Sequence, residues 1–235
     1  SMGAVPAQTL VCGTWSPPDV TGVRGYSSKR PRRVRQPMTF SCKSNLRKHL
    51  RSVRKEFVLK QKNSLFLENF LPCRKLEPLL GSGAILAGYC AMGSEADIDG
   101  LMVWIARHDV RLALPWLAER DTPMLFREWR PGDPLELSTS GFTQPLPTTL
   151  EVAPTIILLP LVGFDRSGNR LGQGAGHYDR ALERLPDALR IGIAWSVQEA
   201  ENIPADTWDV RLDAILTERE WINTPFKHQG ALKSV

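Results

Sequence analysis

One stretch in the second half of the chain constrains the fold more than any other. It opens on a short apolar run, 156–159, closed by Pro160, and such a run bounded by turn residues is typical of a strand buried on both faces. Turn-forming residues follow over 165–169, and glycine then occupies every second position over 172–176. A helical pattern begins directly after the last glycine and ends at Pro186. The stretch therefore predicts a buried strand, a turn, a glycine loop and a helix in succession.

Three alternating glycines before a helix have a physical use in ligand binding. Without a Cβ atom the backbone can adopt positive φ and approach a ligand closely. The exposed N–H groups and the helix N-terminus then favour an anion such as phosphate. The loop is not a Walker A motif, because no Lys-Ser/Thr follows Gly176, and its GxGxG spacing differs from the GxGxxG of dinucleotide-binding folds. On the glycines alone, a phosphate-binding loop and a simple glycine-rich turn are both open.

Apolar strands and helical patterns alternate along the rest of the folded region. Helices are predicted over 43–70, 76–80 and 98–106, and strands over 84–89, 110–114, 124–129 and 190–195. Pro115 is expected to end its strand, and 138–147 is expected to be a loop. This alternation predicts an α/β fold, a three-layer sandwich with a largely parallel central sheet in a single domain. Ligands bind such sheets beyond the carboxyl ends of the strands, where the glycine loop lies.

The start of the chain differs from the rest in charge. The 235 residues carry a net charge of +5, and residues 1–37 hold six basic residues against one acidic residue, so the remainder is neutral. We expect a flexible basic tail over 1–37 and a folded domain over 38–235. A nucleic-acid arm and an Arg-rich targeting peptide are alternatives for the tail. Ser1 before Met2 is typical of a tag-derived start, and Met38 is an alternative start that would make the tail non-native.

The neutral body of the chain gives no reason to expect a nucleic-acid partner. No apolar run approaches the roughly 18 residues that cross a membrane, so no membrane partner is expected either. The four cysteines form no CxxC pair, a pattern that indicates neither a zinc site nor a disulfide framework. We expect a cytoplasmic monomer that acts on small molecules.

The first predicted helix carries two stripes, and Ser41 is a candidate for its N-cap. Its apolar face consists of Leu46, Leu50, Val53 and Phe57. Its basic face consists of Lys43, Arg47, Arg51 and Arg54. A one-sided basic stripe is either a solvated face or a set of cations that bind phosphate, and the helix by itself leaves both readings open.

The glycine loop and its flanks also resemble a known signature. They read Pro160-Leu161-Val162-x-Phe164-Asp165, then Gly168-x-Arg170-Leu171-Gly172-x-Gly174-x-Gly176-x-Tyr178-Asp179-Arg180. This long pattern closely resembles the signature of the 5-formyltetrahydrofolate cyclo-ligase family. Lys43-x-x-Leu46-Arg47 resembles that family's N-terminal helix, and 208–217 resembles its closing strand. His177 departs from the pattern, because many members have Tyr there, so an aromatic ring is kept but the phenol hydroxyl is lost.

The resemblance implies an enzyme, an ATP-dependent ligase of one-carbon metabolism. The implied reaction converts 5-formyltetrahydrofolate to 5,10-methenyltetrahydrofolate and releases ADP and phosphate, with ATP as co-substrate and Mg²⁺ as cofactor. Transfer of the γ-phosphoryl group to the formyl oxygen would precede ring closure, and no catalytic nucleophile is expected. The alternatives are a non-catalytic nucleotide- or RNA-binding module on the same fold and a ligase for another formyl or pterin compound.

The resemblance also implies which residues bind the nucleotide. They are two cations of the first helix and the residues of the glycine loop: Lys43, Arg47, Arg170, Leu171, Gly172, Gln173, Gly174, Ala175, Gly176, His177 and Tyr178. Arg51 and Arg54 have no counterpart in the resemblance.

The implied folate-binding residues are Cys90, Glu95, Trp129 and His177. Glu95 is expected to accept N–H donors of the pterin, with Asp97 as the alternative because the register of this short loop is ambiguous. An acid that caps the next helix is the structural alternative for both. For Trp129, a core aromatic is the alternative.

The resemblance further implies two magnesium ligands. They are Asp179, just after the glycine loop, and Asp213 in the closing strand, because hard oxygen ligands beside phosphates suit this ion. Asp209 is expected to have a structural role near the preceding turn.

Overall fold

The structure, a computed structural model, describes residues 42–60, 67–206 and 209–225. The predicted tail over 1–37, the alternative start at Met38 and the Ser41 cap lie outside these residues.

The described residues form three α-helices, two 3₁₀ segments and eleven strands. The helices are α1 (Lys43–Lys60), α2 (Asp99–Ile105) and α3 (His177–Glu183), with 3₁₀ segments at Leu67–Leu79 and Ser196–Gln198. The strands are β1 (Ile85–Ala87), β2 (Arg111–Trp116), β3 (Leu125–Glu128), β4 (Leu135–Leu137), β5 (Thr143–Pro145), β6 (Ile156–Pro160), β7 (Gly163–Phe164), β8 (Arg170–Leu171), β9 (Leu189–Ile193), β10 (Ala214–Leu216) and β11 (Trp221–Asn223). Within the described ranges, each helix is too short or too polar to cross a membrane.

Seven of the strands form one mixed sheet in the order β11-β10-β9-β6-β1-β2-β3. The five inner strands are parallel to one another, and the edge strands β3 and β11 run antiparallel to their neighbours. The pairs β4–β5 and β7–β8 form two separate hairpins. The prediction of an α/β fold with a largely parallel sheet is confirmed.

The inner strands send alternate side chains into two different cores. In β6, Ile156 and Leu158 belong to one cluster of buried side chains, and Ile157 and Leu159 belong to the other. This is the two-residue period of a strand buried on both faces. Helix α2 contributes to the first cluster and α3 to the second, so helices cover both faces of the sheet, and the three predicted layers are present.

The first half of α1 packs against the β7–β8 hairpin. Leu46 and Leu50 form a third buried cluster with Val162, Leu171 and Ile203. The approach is close, because a Cβ atom on Gly163 would lie 2.3 Å from Leu50 Cδ1. This packing sets the basic face of α1 beside the loop that follows β8.

Three local predictions were wrong in detail. Of the helix predicted over 43–70, Lys43–Lys60 is α-helical and 61–66 lie outside the described residues. From Leu67 the chain forms the 3₁₀ segment Leu67–Leu79, which contains two prolines, and these lack the N–H that α-helical bonding needs. Pro115 lies inside β2. Because the pairing of β2 with β1 extends only to Ala113, the missing N–H of Pro115 removes no hydrogen bond between these two strands. The expected loop over 138–147 contains β5, because Gly141, at φ +83°, lets the chain turn back onto β4.

Candidate functional site

The order of the strands creates a crevice between β1 and β6. From β1 the chain moves to β2 on one side, and from β6 it moves to β9 on the other. The loops at the carboxyl ends of β1 and β6 therefore diverge, which is where open parallel sheets bind ligands. A cavity of about 970 Å³ opens at this point, between the segment after β1 and the glycine loop that follows the β7–β8 hairpin.

Most of the residues predicted to bind ligands line this one cavity. They include the whole nucleotide set, which is Lys43, Arg47, Arg170, Leu171, Gly172, Gln173, Gly174, Ala175, Gly176, His177 and Tyr178. Cys90, Glu95 and Asp179 line it as well. The structure thus brings these residues together, and the ligands assigned to them stay predictions.

Three predicted site residues lie elsewhere. Trp129 packs against the first core cluster, and its Nε1 donates a hydrogen bond to the carbonyl of Asp133 at 3.3 Å. Asp213 is 2% exposed, and its Oδ2 accepts the backbone N–H of Arg190 at 2.8 Å, so it belongs to the sheet interior. Asp97 is exposed and accepts the N–H of Asp99 as an Asx turn at the start of α2. The cavity geometry supports none of these three as a ligand-binding residue.

The glycine loop is open on one side and held by α1 on the other. Gly174 has φ +108° and Gly176 has φ +69°, which is backbone that glycine adopts without strain. Arg47 Nε donates to the carbonyl of Gly172 at 3.0 Å, and a Cβ atom on Gly174 would lie 3.8 Å from the Arg47 guanidinium. Among the described residues, a Cβ atom on Gly172 would meet nothing within 4 Å. The loop therefore leaves space for a ligand beside a fixed cation.

The basic face of α1 is bound to the rest of the site and is not a simple solvated face. Arg51 Nη2 donates to the backbone carbonyl of Gln173 at 3.0 Å and to its Oε1 at 2.6 Å. Arg54 is buried, and it donates to Ser94 Oγ at 3.1 Å and to the carbonyl of Leu161 at 3.0 Å. Burial lowers the pKa of Arg54, although the nearby charge of Glu95 opposes this shift. The basic face thus joins α1 to the glycine loop through Arg51 and to the segment after β1 through Arg54 and Ser94.

At the amino end of α1, a lysine sits between two aspartates. Lys43 Nζ lies 2.5 Å from Oδ2 of Asp206 and 2.5 Å from Oδ2 of Asp209. Burial lowers the pKa of Lys43, but the two carboxylates outweigh burial and the net pKa is raised. For Asp209, burial raises the pKa, but the hydrogen bond from Lys43 contributes to a net lowering. Both groups are therefore charged at neutral pH.

A buried arginine lies next to these acids. Arg170 donates to the carboxylate of Asp179 and to the carbonyl of Val210. Burial lowers its pKa, which the charges of Asp179 and then Asp209 oppose. Two carboxylates, Asp179 and Asp209, thus line the cavity around one guanidinium, next to the glycine loop.

These two acids suit a magnesium ion that is shared with phosphates. Within the described ranges, no group of three or more His, Cys, Asp or Glu side chains forms a metal-binding cluster. Magnesium bound with a nucleotide typically takes one or two carboxylates and completes its shell with phosphates and water. Asp179 and Asp209 provide that number of carboxylates.

Glu95 is the buried carboxylate of the opposite wall. Its Oε2 accepts the backbone N–H of Met92 at 3.0 Å, and its Oε1 accepts the Gln173 side-chain amide at 2.6 Å. Each oxygen has further lone pairs for a ligand donor. Of the two acids that the sequence left open, Glu95 lines the cavity and Asp97 does not, so the geometry favours Glu95.

Burial favours the neutral form of three titratable side chains in the cavity, Cys90, Tyr178 and His177. Burial, with a smaller effect of Asp99, raises the pKa of the Cys90 thiol to about 11, so this cysteine is not a thiolate nucleophile. Burial likewise raises the pKa of Tyr178. Burial and the charge of Arg180 lower the pKa of His177, whose Nδ1 lies 3.0 Å from Arg180 Nη2 and must accept there, since a guanidinium only donates.

Sequence reasoning missed several residues of the cavity wall. They are Met92, Arg120, Arg180, Asp206 and Asp209. Asp209 lies in the segment 208–217 that resembles the family's closing strand, but a structural role is predicted for it. Arg180 is the last residue of the quoted signature. No pattern in the sequence could have pointed to Arg120, because it reaches the cavity through the loop between β2 and β3.

Comparisons with known proteins agree on one family. A sequence model of the 5-formyltetrahydrofolate cyclo-ligase family matches residues 39–218. A 5-formyltetrahydrofolate cyclo-ligase of Haemophilus influenzae is 37% identical over 40% of this chain and 53% of its own length. One of Mycolicibacterium smegmatis is 31% identical over 60% of this chain and 77% of its own length. The solution NMR structure of Aquifex aeolicus 5,10-methenyltetrahydrofolate synthetase has a TM-score of 0.67 and 27% identity, covering 82% of this chain and 96% of that one.

Proposed function

Because the chain belongs to the 5-formyltetrahydrofolate cyclo-ligase family, we propose that it uses ATP to convert 5-formyltetrahydrofolate to 5,10-methenyltetrahydrofolate. The observation that carries this proposal is the shared cavity, in which the glycine loop, two cations of α1 and a buried glutamate face one another. A phosphorylating ring closure needs these three parts in one place, because the phosphate donor and the formyl group must meet.

The proposed reaction has two steps. The formyl oxygen attacks the γ-phosphorus of ATP, the bond to the β-phosphate oxygen breaks, and ADP leaves. The neighbouring folate nitrogen, N10, then attacks the formyl carbon with its lone pair, the carbon–oxygen bond breaks, and phosphate departs with the oxygen. N10 loses its proton to water. Phosphorylation is needed because a formamide oxygen is a poor leaving group and a phosphate is a good one.

In this proposal the chain positions reactants and neutralises charge. Lys43, Arg47 and the amides of the glycine loop bind the triphosphate. Glu95 accepts pterin N–H groups, and the His177 ring contacts the folate. Cys90 lies in the same wall as Glu95 and takes no covalent part.

Magnesium would supply charge neutralisation on the phosphates when bound. We assign it to Asp179 and Asp209, in place of the Asp179 and Asp213 pair inferred from the sequence, because Asp209 lines the cavity and Asp213 is enclosed in the sheet. Both proposed substrates are small molecules. We further propose a cytoplasmic monomer without a nucleic-acid or membrane partner, as expected from the sequence.

The direct test measures phosphate release from ATP with and without 5-formyltetrahydrofolate. We expect phosphate release only when the folate is present. The amount of phosphate should equal the amount of methenyl product, which is measured by its absorbance. If the chain bound nucleotide but released no phosphate when the folate was added, the non-catalytic module would be favoured. If phosphate were released with another formyl compound and not with 5-formyltetrahydrofolate, a ligase for that compound would be favoured.

A matched pair of variants on α1 ties the activity to this cavity. We expect Lys43→Met to lower kcat/KM for ATP about 10- to 100-fold, because a hydrogen bond to a charged group contributes roughly 1.5–3 kcal/mol. Lys55→Met, at an exposed position of the same helix, should leave kcat/KM within about twofold. Equal effects of the two variants would contradict the assignment of Lys43.

A further inference from the structure

We propose that Gln173 is a positioning residue that couples nucleotide binding to folate binding through Glu95. The inference rests on the proposed function, since it assumes that both ligands share the cavity. It concerns the side chain of a residue between two glycines, whose backbone forms the proposed phosphate loop.

The Gln173 side chain connects both walls of the cavity. Its Nε2 donates to Glu95 Oε1 at 2.6 Å, and its Oε1 accepts from Arg51 Nη2 at 2.6 Å. The same Arg51 nitrogen lies 3.0 Å from the backbone carbonyl of Gln173. Arg51 of α1 thus holds the oxygen of the Gln173 amide, and the nitrogen of the amide points to the carboxylate of Glu95.

Glu95 depends on this contact for its orientation. It is 8% exposed, and within the described part of the chain its Oε2 accepts from Met92 N–H and its Oε1 accepts from Gln173. The Met92 donor belongs to the same short segment, so Gln173 is the donor that comes from the opposite wall. The position of the glycine loop therefore determines whether Glu95 presents its remaining lone pairs to a pterin.

A nucleotide that fixes the loop would hold the Gln173 amide against Glu95 and so favour the folate-binding arrangement. Coupling of this kind is reciprocal, because each ligand must change the affinity for the other by the same factor. We expect about a tenfold gain in folate affinity when nucleotide is present, within the usual range for coupled sites.

The experiment measures a ratio of affinities by calorimetry. The Kd of 5-formyltetrahydrofolate is determined with and without a non-hydrolysable ATP analogue and Mg²⁺, for the full chain and for its variants. The ratio is the Kd without nucleotide divided by the Kd with nucleotide. It should be about ten in the wild type and fall below about two in Gln173→Ala. Gln173→Glu keeps the acceptor for Arg51 but puts a carboxylate against Glu95, so it should also abolish the ratio and weaken folate binding further.

Variants on α1 separate coupling from a merely structural role. Arg51→Met should reduce the ratio because it frees the far end of the amide, whereas Lys55→Met should leave it unchanged. A structural role alone would weaken folate binding equally with and without nucleotide, and that result, or an unchanged ratio in Gln173→Ala, would overturn the inference. Wild-type chain that binds both ligands without coupling would overturn the inference alone, whereas a chain that binds neither would overturn the proposed function as well.

Discussion

Two neighbouring turns after β6 use glycine in opposite ways. The hairpin turn, 165–169, joins β7 to β8, and the glycine loop, 172–176, begins directly after β8 ends. In the hairpin turn Asp165 is 2% exposed, and its carboxylate accepts hydrogen bonds from several donors. These are the backbone N–H groups of Ser167, Asn169 and Ile203 and the side-chain amide of Asn169.

Gly168 in the hairpin turn is enclosed, whereas Gly174 in the glycine loop is not. Gly168 has φ +85°, and a Cβ atom there would lie 2.7 Å from the carbonyl oxygen of Leu212. Gly174 also has positive φ, but the nearest atoms to its Cβ position are those of Arg47 at 3.8 Å. The hairpin turn is therefore filled by groups of the chain itself, whereas the glycine loop leaves space for a ligand.

The largest expected effect is on the hairpin turn. Asp165→Ala leaves several buried N–H groups without an acceptor, so we expect the free energy of unfolding to fall by about 4 kcal/mol. Urea denaturation followed by circular dichroism measures this change. Asp187→Ala, at an exposed aspartate, is the matched control and should change the free energy by less than about 0.5 kcal/mol. A loss below about 1 kcal/mol for Asp165→Ala would remove the distinction between the two turns.

The next effect compares the same substitution in both turns. Gly168→Ala combines positive φ with a clash against backbone, and we expect it to lower the free energy of unfolding by about 3 kcal/mol. Gly174→Ala has the φ penalty without the clash, so the loss should be about 1 kcal/mol. Because a ligand-binding backbone would be displaced, we expect the KM for ATP of Gly174→Ala to rise about tenfold.

Gly172→Ala is the control within the loop. Its φ is not in the left-handed region, and a Cβ atom there has open space. Stability should stay within about 0.5 kcal/mol, so Gly172→Ala isolates the φ penalty expected at Gly174. If Gly174→Ala left the KM for ATP unchanged while Gly168→Ala remained destabilising, the glycine loop would be a simple turn, which is the alternative that the glycine spacing left open.

Elements that depend on local sequence pattern could be predicted from the sequence. The strand over 156–159, the turn at 165–169 and the helix after Gly176 depend on local pattern, and all three are present. The β4–β5 hairpin was missed because its short strands lie in a polar stretch that reads as loop. The resemblance named Lys43 together with the glycine loop, and both line the cavity because α1 packs on the β7–β8 hairpin.

Residues whose role depends on long-range packing were harder to predict. Asp209 and Asp213 are four residues apart in similar sequence, yet one lines the cavity and the other is buried beside Arg190. Their difference comes from where β10 begins, which the sequence does not mark. Arg54 was set aside for lack of a motif, and its buried bonds to Ser94 and Leu161 exist only once α1 has docked.

The smallest expected effect is a pH dependence at the end of the glycine loop. Burial first, and then the charge of Arg180, lower the pKa of His177 in the folded chain. A histidine with a lowered folded pKa is neutral and without cost above its ordinary value of about 6.5, and it loses stability as the pH falls through its folded pKa. We therefore expect the difference in unfolding free energy between wild type and His177→Gln to move against wild type on acidification from pH 8 to pH 5.

Comparison with the variant cancels the titration of other groups. Arg180→Met should shrink the pH-dependent difference by removing one of its causes, whereas Arg184→Met, at an exposed position at the end of the same helix, should leave it unchanged. A difference that stays constant with pH, or that grows in favour of wild type in acid, would mean that His177 is not held neutral by the loop. The ring at this position would then lie in a more solvated and anionic setting than the described geometry gives it.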